Sequence, residues 1–197
     1  RDRPNTIRFN SKPVGHMTPN ERRALGVLAA PEERLGHAAA PDMDLIENSM
    51  LTAMVRKNLS NAGFLNWQRA KAFTQTIIDE FDVRTPGPQS IARSLSGGNL
   101  QKYVIGREVL QDPDVLIVNQ PTWGVDAAAA AAIRQSLLDL AGKGAAIIVI
   151  SQDLDELMEI STQFSALNNG KLSVAQPMAK FSLDEIGLLL GGADAST

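Results

Sequence analysis

Cysteine is absent from the 197 residues. A disulfide framework, a thiolate metal site and thiol chemistry are therefore excluded. Histidine is scarce: His16 and His37 are the two in the chain, and both fall in polar stretches that read as surface loops. No apolar run approaches the roughly 18 residues that a membrane-spanning helix needs, and no signal peptide opens the sequence. A protein of this kind that works at a membrane does so through a partner. Basic blocks are also missing. The 19 lysines and arginines stand against 22 acids, for a net charge of −3, which speaks against a nucleic-acid partner. The apolar share of 44% still supports a sizeable core. The length suits one domain, or one domain with an inserted subdomain. Finally, the first residue is not Met and no G-x-x-x-x-G-K-[ST] phosphate loop is present. The expectation is an excised piece of a longer protein, whose other part holds the phosphate loop and further strands.

What is present centres on Leu95-Ser96-Gly97-Gly98-Asn99-Leu100-Gln101-Lys102. It follows a turn-rich segment, Thr85-Pro86-Gly87-Pro88, and opens a helical pattern ending near Leu110. Ser96 is placed to cap that helix, and glycines let a backbone approach a ligand closely. The first amides of a helix lack internal acceptors and sit at the positive end of its dipole, so a phosphate fits there. Taken alone, Ser-Gly-Gly reads equally well as a loop before a helix.

The rest alternates helices with short apolar runs. Thr18-Pro19-Asn20-Glu21 predicts a capped helix running to about Leu25. Gly26 to Ala30 reads as a strand, Asp42 to Asn58 as a helix capped by Asp42 or Asp44, and Asn66 to Phe81 as a second helix with Ala70, Phe73, Ile77 and Phe81 on one face. Val115 to Val118 suits a central parallel strand buried on both faces, with Ala145 to Ile150 as the next buried strand. A helix follows from Asp126 to Leu140 and another from Asp153 to Ile160. A hairpin is expected around Asn168-Asn169-Gly170, then a helix from Ser182 to Leu190. A short strand is also possible from Thr6 to Phe9.

LSGGN-x-QK at 95–102, QPTWGVD at 120–126 and SQDLDEL at 151–157 resemble, together and in this order, the ATP-binding cassette (ABC) ATPases. The finer resemblance is to the C-terminal cassette of two-cassette importers for simple sugars and nucleosides, nearest the nucleoside branch. The segments Pro31-Glu32-Glu33-Arg34-Leu35-Gly36-His37 and Gln120 to Asp126 carry it, and Glu47-Asn48 adds to it. This resemblance implies an α/β P-loop NTPase core with a parallel sheet, made here by 1–40 and 112–197, and an inserted helical signature subdomain at 41–111.

The resemblance also implies roles. Ser96, Gly97, Gly98 and Asn99 would contact ATP held by a partner cassette. Gln120 falls where the family has its catalytic glutamate, Gln152 at the switch histidine, and Asn119 at the Walker B aspartate that helps hold Mg²⁺. An amide cannot take a proton as a carboxylate does, and it lacks the charge a hard cation prefers. Asp126 would lie at the cassette–cassette interface, with Trp123 near it, and Glu32 in the loop coupling to membrane subunits. Asp126 also reads as a helix N-cap, and Glu32 as part of a charged surface loop. The implied cofactors are ATP and Mg²⁺ in the full protein, not retained by this piece alone. The implied partners are an N-terminal cassette, transmembrane permease subunits and, indirectly, a solute-binding protein, at the cytoplasmic face of the membrane. Two other readings stand beside this one. The piece is a non-hydrolytic regulatory module, or it belongs to a soluble ABC ATPase of repair or translation. The last would need a coiled-coil insertion or a basic surface, and the sequence has neither.

Overall fold

The structure, a computed structural model, describes residues 7–61 and 63–191. Thr6, where the first strand was expected to begin, lies outside them. The chain divides into two compact units, up to Ile150 and from Ser151 onward.

The first unit opens with a two-strand ladder, β1 (Arg8–Phe9) against β2 (Lys12–Pro13). Helix α1 (Pro19–Ala24) starts at a full capping box. Thr18 accepts from the Glu21 amide, and the Glu21 carboxylate accepts from the Thr18 amide at 2.7 Å. Strand β3 (Val27–Ala30) follows, and then the loop that carries Glu32. Helix α2 (Leu45–Ala53) starts at a second capping box, Asp44 with Glu47. It stops short of the expected Asn58, because residues 54–58 turn off the helix and Asn58 itself is left-handed at φ 52°. The small ladder β4 (Ser60–Asn61) with β5 (Phe64–Leu65) leads to α3 (Trp67–Glu80), capped by Asn66. Ile46, Met50, Ala53, Leu59 and Ala70 form the core between α2 and α3, with Phe73 packed on it.

Helix α4 (Gly97–Val109) begins at Ser96 as expected, and every residue from Leu100 to Val109 is buried. Such a helix must pair its polar groups inside. Tyr103 shares a hydrogen bond with Ser49 on α2 at 2.9 Å, and Thr74 on α3 donates to the same serine at 2.8 Å. Burial pushes the Tyr103 hydroxyl up to about 12. Arg107 donates to Glu108 at 2.9 Å and to the carbonyls of Asn48 and Ala38 at 3.2 and 2.7 Å. Burial disfavours the guanidinium charge most strongly of any single cause, but the Glu108 carboxylate and the Tyr103 hydroxyl together more than offset it, so the Arg107 pKa is raised. Gly106 has a packing reason. A Cβ there would stand 2.6 Å from the Phe81 ring, so only glycine lets α3 and α4 approach this closely.

Strand β6 (Val115–Asn119) lies between β3 and β7 (Ala146–Ile150) in a parallel sheet, Val118 opposite Ala30 and Val149. Helices α2, α3 and α4 thus sit in the crossover between two neighbouring strands. Helix α5 (Ala127–Gly142) joins β6 to β7 and buries Ala129, Ile133, Leu137 and Leu140. The expectation of strands buried on both faces is only half met. Leu28, Ala30, Leu116 and Val118 are buried on one face. On the other, Val27 and Ile117 are half-buried, and Ile148 and Ile150 remain 52% and 51% exposed. Apolar runs report that a strand prefers cover, not which element provides it.

The second unit holds α6 (Leu154–Ile160), capped by Asp153, and then two ladders. Strand β8 (Gln163–Phe164) pairs with β11 (Gln176–Pro177), and β9 (Leu167–Asn168) with β10 (Lys171–Leu172). The β9–β10 turn is Asn169-Gly170, both at positive φ (47° and 75°), as a two-residue hairpin turn requires. Helix α7 (Leu183–Gly191) follows Phe181, whose ring meets Phe164 edge-on at 5.3 Å.

The buried pair on α4 gives a stability prediction. Glu108→Ala leaves the Arg107 guanidinium buried without its counter-charge, at a cost of about 3–5 kcal/mol. Asp44→Ala removes only a cap, at about 1 kcal/mol. Urea unfolding of both variants should rank them in that order. Equal costs would show that the pair does not hold the helices together.

Candidate functional site

The parallel strands β3 and β6 deliver their loops to one end of the sheet, and open α/β sheets bind ligands at the carboxyl ends of strands. The loop after β3 brings Glu32 and Arg34, and the loop after β6 brings residues 119 to 126. The first turn of α4 meets both. The sequence-expected residues Glu32 and Asn119 do come together: Asn119 Nδ2 stands 3.5 Å from a Glu32 carboxylate oxygen, at the outer limit of a hydrogen bond. Gln120 is buried, and its backbone is left-handed at φ 52°. Its amide donates to the carbonyl of Ile150 at 2.8 Å, which fixes the end of β6 against the end of β7. From Gln120 the chain turns sharply. The Trp123 amide donates back to the Gln120 carbonyl at 3.2 Å, and Gly124 takes φ 68°. The Trp123 side chain is 65% exposed. Asp126 is the N-cap of α5, accepting from the Ala129 amide at 2.9 Å.

At the start of α4, Ser96 Oγ accepts from the Asn99 side chain at 2.9 Å and, at 3.4 Å, from its amide. Asn99 Oδ1 in turn accepts from the Arg84 amide at 2.9 Å. Ser96 and Gly97 are exposed. The amides of Gly97 and Gly98 lie in the first turn, where a helix offers no internal acceptor. Both glycines are also closely approached by their neighbours. A Cβ on Gly97 would stand 2.8 Å from Arg34 Nη1, and one on Gly98 3.1 Å from the Gly124 carbonyl oxygen. The N-terminus of α4 thus joins free donors, a favourable dipole and an open approach, which suits a phosphate. Gln152 belongs to the second unit, where it is exposed just before the Asp153 cap.

Two residues at the centre of this junction had no role in the sequence reading, although both stood within quoted motifs. Arg34 donates from Nε to Gln101 Oε1 at 2.9 Å and from Nη2 to the Trp123 carbonyl. Partial burial lowers its pKa from the ordinary arginine value. Gln101 is 2% exposed, and its Nε2 donates to the carbonyls of Gln120 and Pro121 at 3.1 and 2.8 Å. The available signal was spacing: Gly97 and Gln101 are one helical turn apart, so both face the same neighbour.

The residues are less suited to a resident metal ion. Among the described residues, no group of three acidic, histidine or cysteine side chains is placed to hold one. Asn119 is neutral, and a hard cation favours charged oxygen donors. No helix among the described residues is long and apolar enough to cross a membrane.

No family model matches the chain. It is 33% identical over 188 residues to the guanosine import ATP-binding protein NupO of Bacillus subtilis, a match covering 95% of this chain and 37% of that protein. It is 36% identical over 168 residues to the galactose/methyl galactoside import ATP-binding protein MglA of Escherichia coli, covering 85% and 33%. The chain thus spans about a third of the length of the curated relatives it matches. Among solved structures it resembles a dimeric ATP-binding cassette in a post-hydrolysis state bound to ADP and Pi. That match has a TM-score of 0.69 at 16% identity and covers 88% of this chain and 73% of the other. The ATP-binding subunit of an ABC transporter gives 0.68 at 23% identity, covering 95% and 71%.

Gln101 offers a direct check on the junction. Gln101→Glu keeps an acceptor for Arg34 but sets a carboxylate against two backbone carbonyls that then lack their donor. It should cost about 1–3 kcal/mol in urea unfolding. A neutral result would mean that the side chain does not bridge the loop after β6.

Proposed function

We propose that this chain, a member of the ATP-binding cassette family of transporter nucleotide-binding domains, acts within a longer importer ATPase as the half that completes a partner cassette's ATP site. The observation that carries this reading is the N-terminus of α4. Ser96 caps it, Gly97 is exposed, and its first amides are directed away from the helix. The nucleotide would be bound by another cassette, with Ser96, Gly97, Gly98 and Asn99 meeting its phosphates. Free amides at a helix start neutralise phosphate charge without a proton-transfer role.

The chain's own catalytic positions are neutral amides: Asn119, Gln120 and Gln152. Gln120 can orient a water by hydrogen bonding but cannot deprotonate it. Hydrolysis in the full-length protein is therefore assigned to the other cassette's carboxylate, with Mg²⁺ entering alongside ATP. Residues 1–40 and 112–197 serve as parts of the α/β core, and 41–111 as the helical subdomain. Asp126 and the exposed Trp123 face the partner cassette. The loop around Glu32 and the helices from Asp42 to Phe81 meet permease subunits at the cytoplasmic face of the membrane, and a solute-binding protein acts through those subunits. The relatives named for guanosine and for galactose import support a nucleoside or simple sugar as the cargo. The same three amides favour a second reading, in which this half regulates without taking part in turnover.

ATP hydrolysis by the full-length protein separates the two. Gly97→Asp places bulk and negative charge where phosphate is to bind, and should abolish most turnover. Gln120→Ala should leave most of it. Glutamate-to-glutamine at the matching position of the other cassette should cost roughly 10²–10⁴-fold. Unchanged turnover in Gly97→Asp would favour the regulatory reading. A Gln120→Ala loss as large as the glutamate change would show that this half is itself catalytic.

A further inference from the structure

Arg34 spreads one planar guanidinium over three segments. It sits two residues after Glu32 in the loop following β3. Its Nε bonds Gln101 on α4 at 2.9 Å, and its Nη2 bonds the Trp123 carbonyl in the loop following β6. Its Nη1 lies where a Gly97 side chain would be, 2.8 Å from a built Cβ, and Nη2 lies 3.1 Å from a built Cβ on Gly124. Gly97 and Gln101 are one turn apart on the same face of α4. The arginine therefore meets α4 at two points one turn apart, a hydrogen bond to Gln101 and a close approach to Gly97. Gln101 continues the connection to the carbonyls of Gln120 and Pro121. Two side chains thus tie the Glu32 loop, the start of α4 and the turn after β6 into one junction. Lysine is no substitute, because a single ammonium has no fork and cannot lie flat against two glycines.

We propose that Arg34 is a positioning residue for the signature turn: it sets Gly97 and Gly98 in register with the loops after β3 and β6. The proposal rests on the reading that those amides meet a nucleotide. Its consequence is kinetic. A misplaced first turn affects the transition state more than the initial capture of ATP, whose main contacts belong to the other cassette. Errors near 1 Å in a catalytic arrangement typically cost up to about 100-fold in rate.

The test is steady-state ATP hydrolysis by the full-length protein, with unfolding measured in parallel. Arg34→Ala and Arg34→Lys should each lower kcat by roughly 10- to 100-fold, with KM for ATP within about twofold of wild type (a transition-state rather than a binding loss). Arg34→Ala in a Gln101→Ala background should add little further loss, because the two residues act as one unit. The conservative variant also guards against misfolding, since it keeps the charge and most of the packing. Wild-type kcat in Arg34→Lys or Arg34→Ala would overturn the proposal, as would a deficit confined to unfolding stability, or fully additive losses in the double variant. Gly97→Asp is the control. If it abolishes turnover while the Arg34 variants do not, the positioning role fails alone. If Gly97→Asp is itself silent, the reading of the signature turn fails with it.

Discussion

Arg107 and Glu108 stand side by side on α4 with almost no solvent contact, and the helical segment is arranged to keep them paired. Neither charge is tolerable alone at that depth, so the surrounding chain has to satisfy both. Arg107 reaches Asn48 on α2 and Ala38 in the loop after β3, and Gln111 donates to Glu108 at 3.1 Å. Asn48 exchanges hydrogen bonds with Ala40 at 2.8 and 3.1 Å, which shapes the same loop from the other side. A helix held this way at its C-terminal turn, and at its middle by Tyr103 on Ser49 and the Leu45 carbonyl, presents its N-terminal turn in a defined position. That position faces the two loops that leave the sheet. The stability of the buried pair and the geometry of the candidate site are therefore one problem.

At the site itself, donors are abundant and proton acceptors are scarce. The end of β6 offers Asn119 and Gln120, and the open turn of α4 offers amides and a serine hydroxyl. Such a set binds and orients negative charge well, and it moves protons poorly. Glu32 is the carboxylate near Asn119, but its loop is also tied to α4 through Arg34. A carboxylate on a loop tied to other segments suits a signal between parts of a machine better than a fixed catalytic base. The asymmetry proposed for the whole protein follows from these residue types: one half supplies electrostatic complementarity, and the other supplies the acceptor for the proton of water.

Helix starts were the most legible part of the sequence. Thr18, Ser96 and Asp126 cap where the pattern placed them, Asp44 is the cap of the two acids offered for α2, and Asn66 and Asp153, expected only as helix starts, also cap, because capping is local and depends on residues within one turn. The strand at β6 and its central, parallel place in the sheet were also readable, since an apolar β-branched run between helices has few other uses. The length of α2 was not. Its sequence continues apolar through Val55, and the exit at Met54 is decided by the following turn rather than by periodicity. The open face at Ile148 and Ile150 was missed because hydrophobicity signals a demand for cover without naming its source. Arg34 and Gln101 were missed for a different reason. Their partners are each other, backbone carbonyls and glycines distant in sequence, and none of these leaves a compositional mark. The glycines of the signature were explained by ligand approach alone, whereas the structure adds the packing of Arg34 and Gly124 against them.

The central claim is that this chain meets the γ-phosphate with the start of α4 and not with the end of β6. Vanadate trapped with MgADP takes the place of that phosphate, and ultraviolet irradiation then cuts the backbone beside it. In the full-length protein, cleavage of this chain should map to residues 95–99 and disappear in Gly97→Asp. Cleavage at Asn119 or Gln120 with residues 95–99 intact would contradict the account.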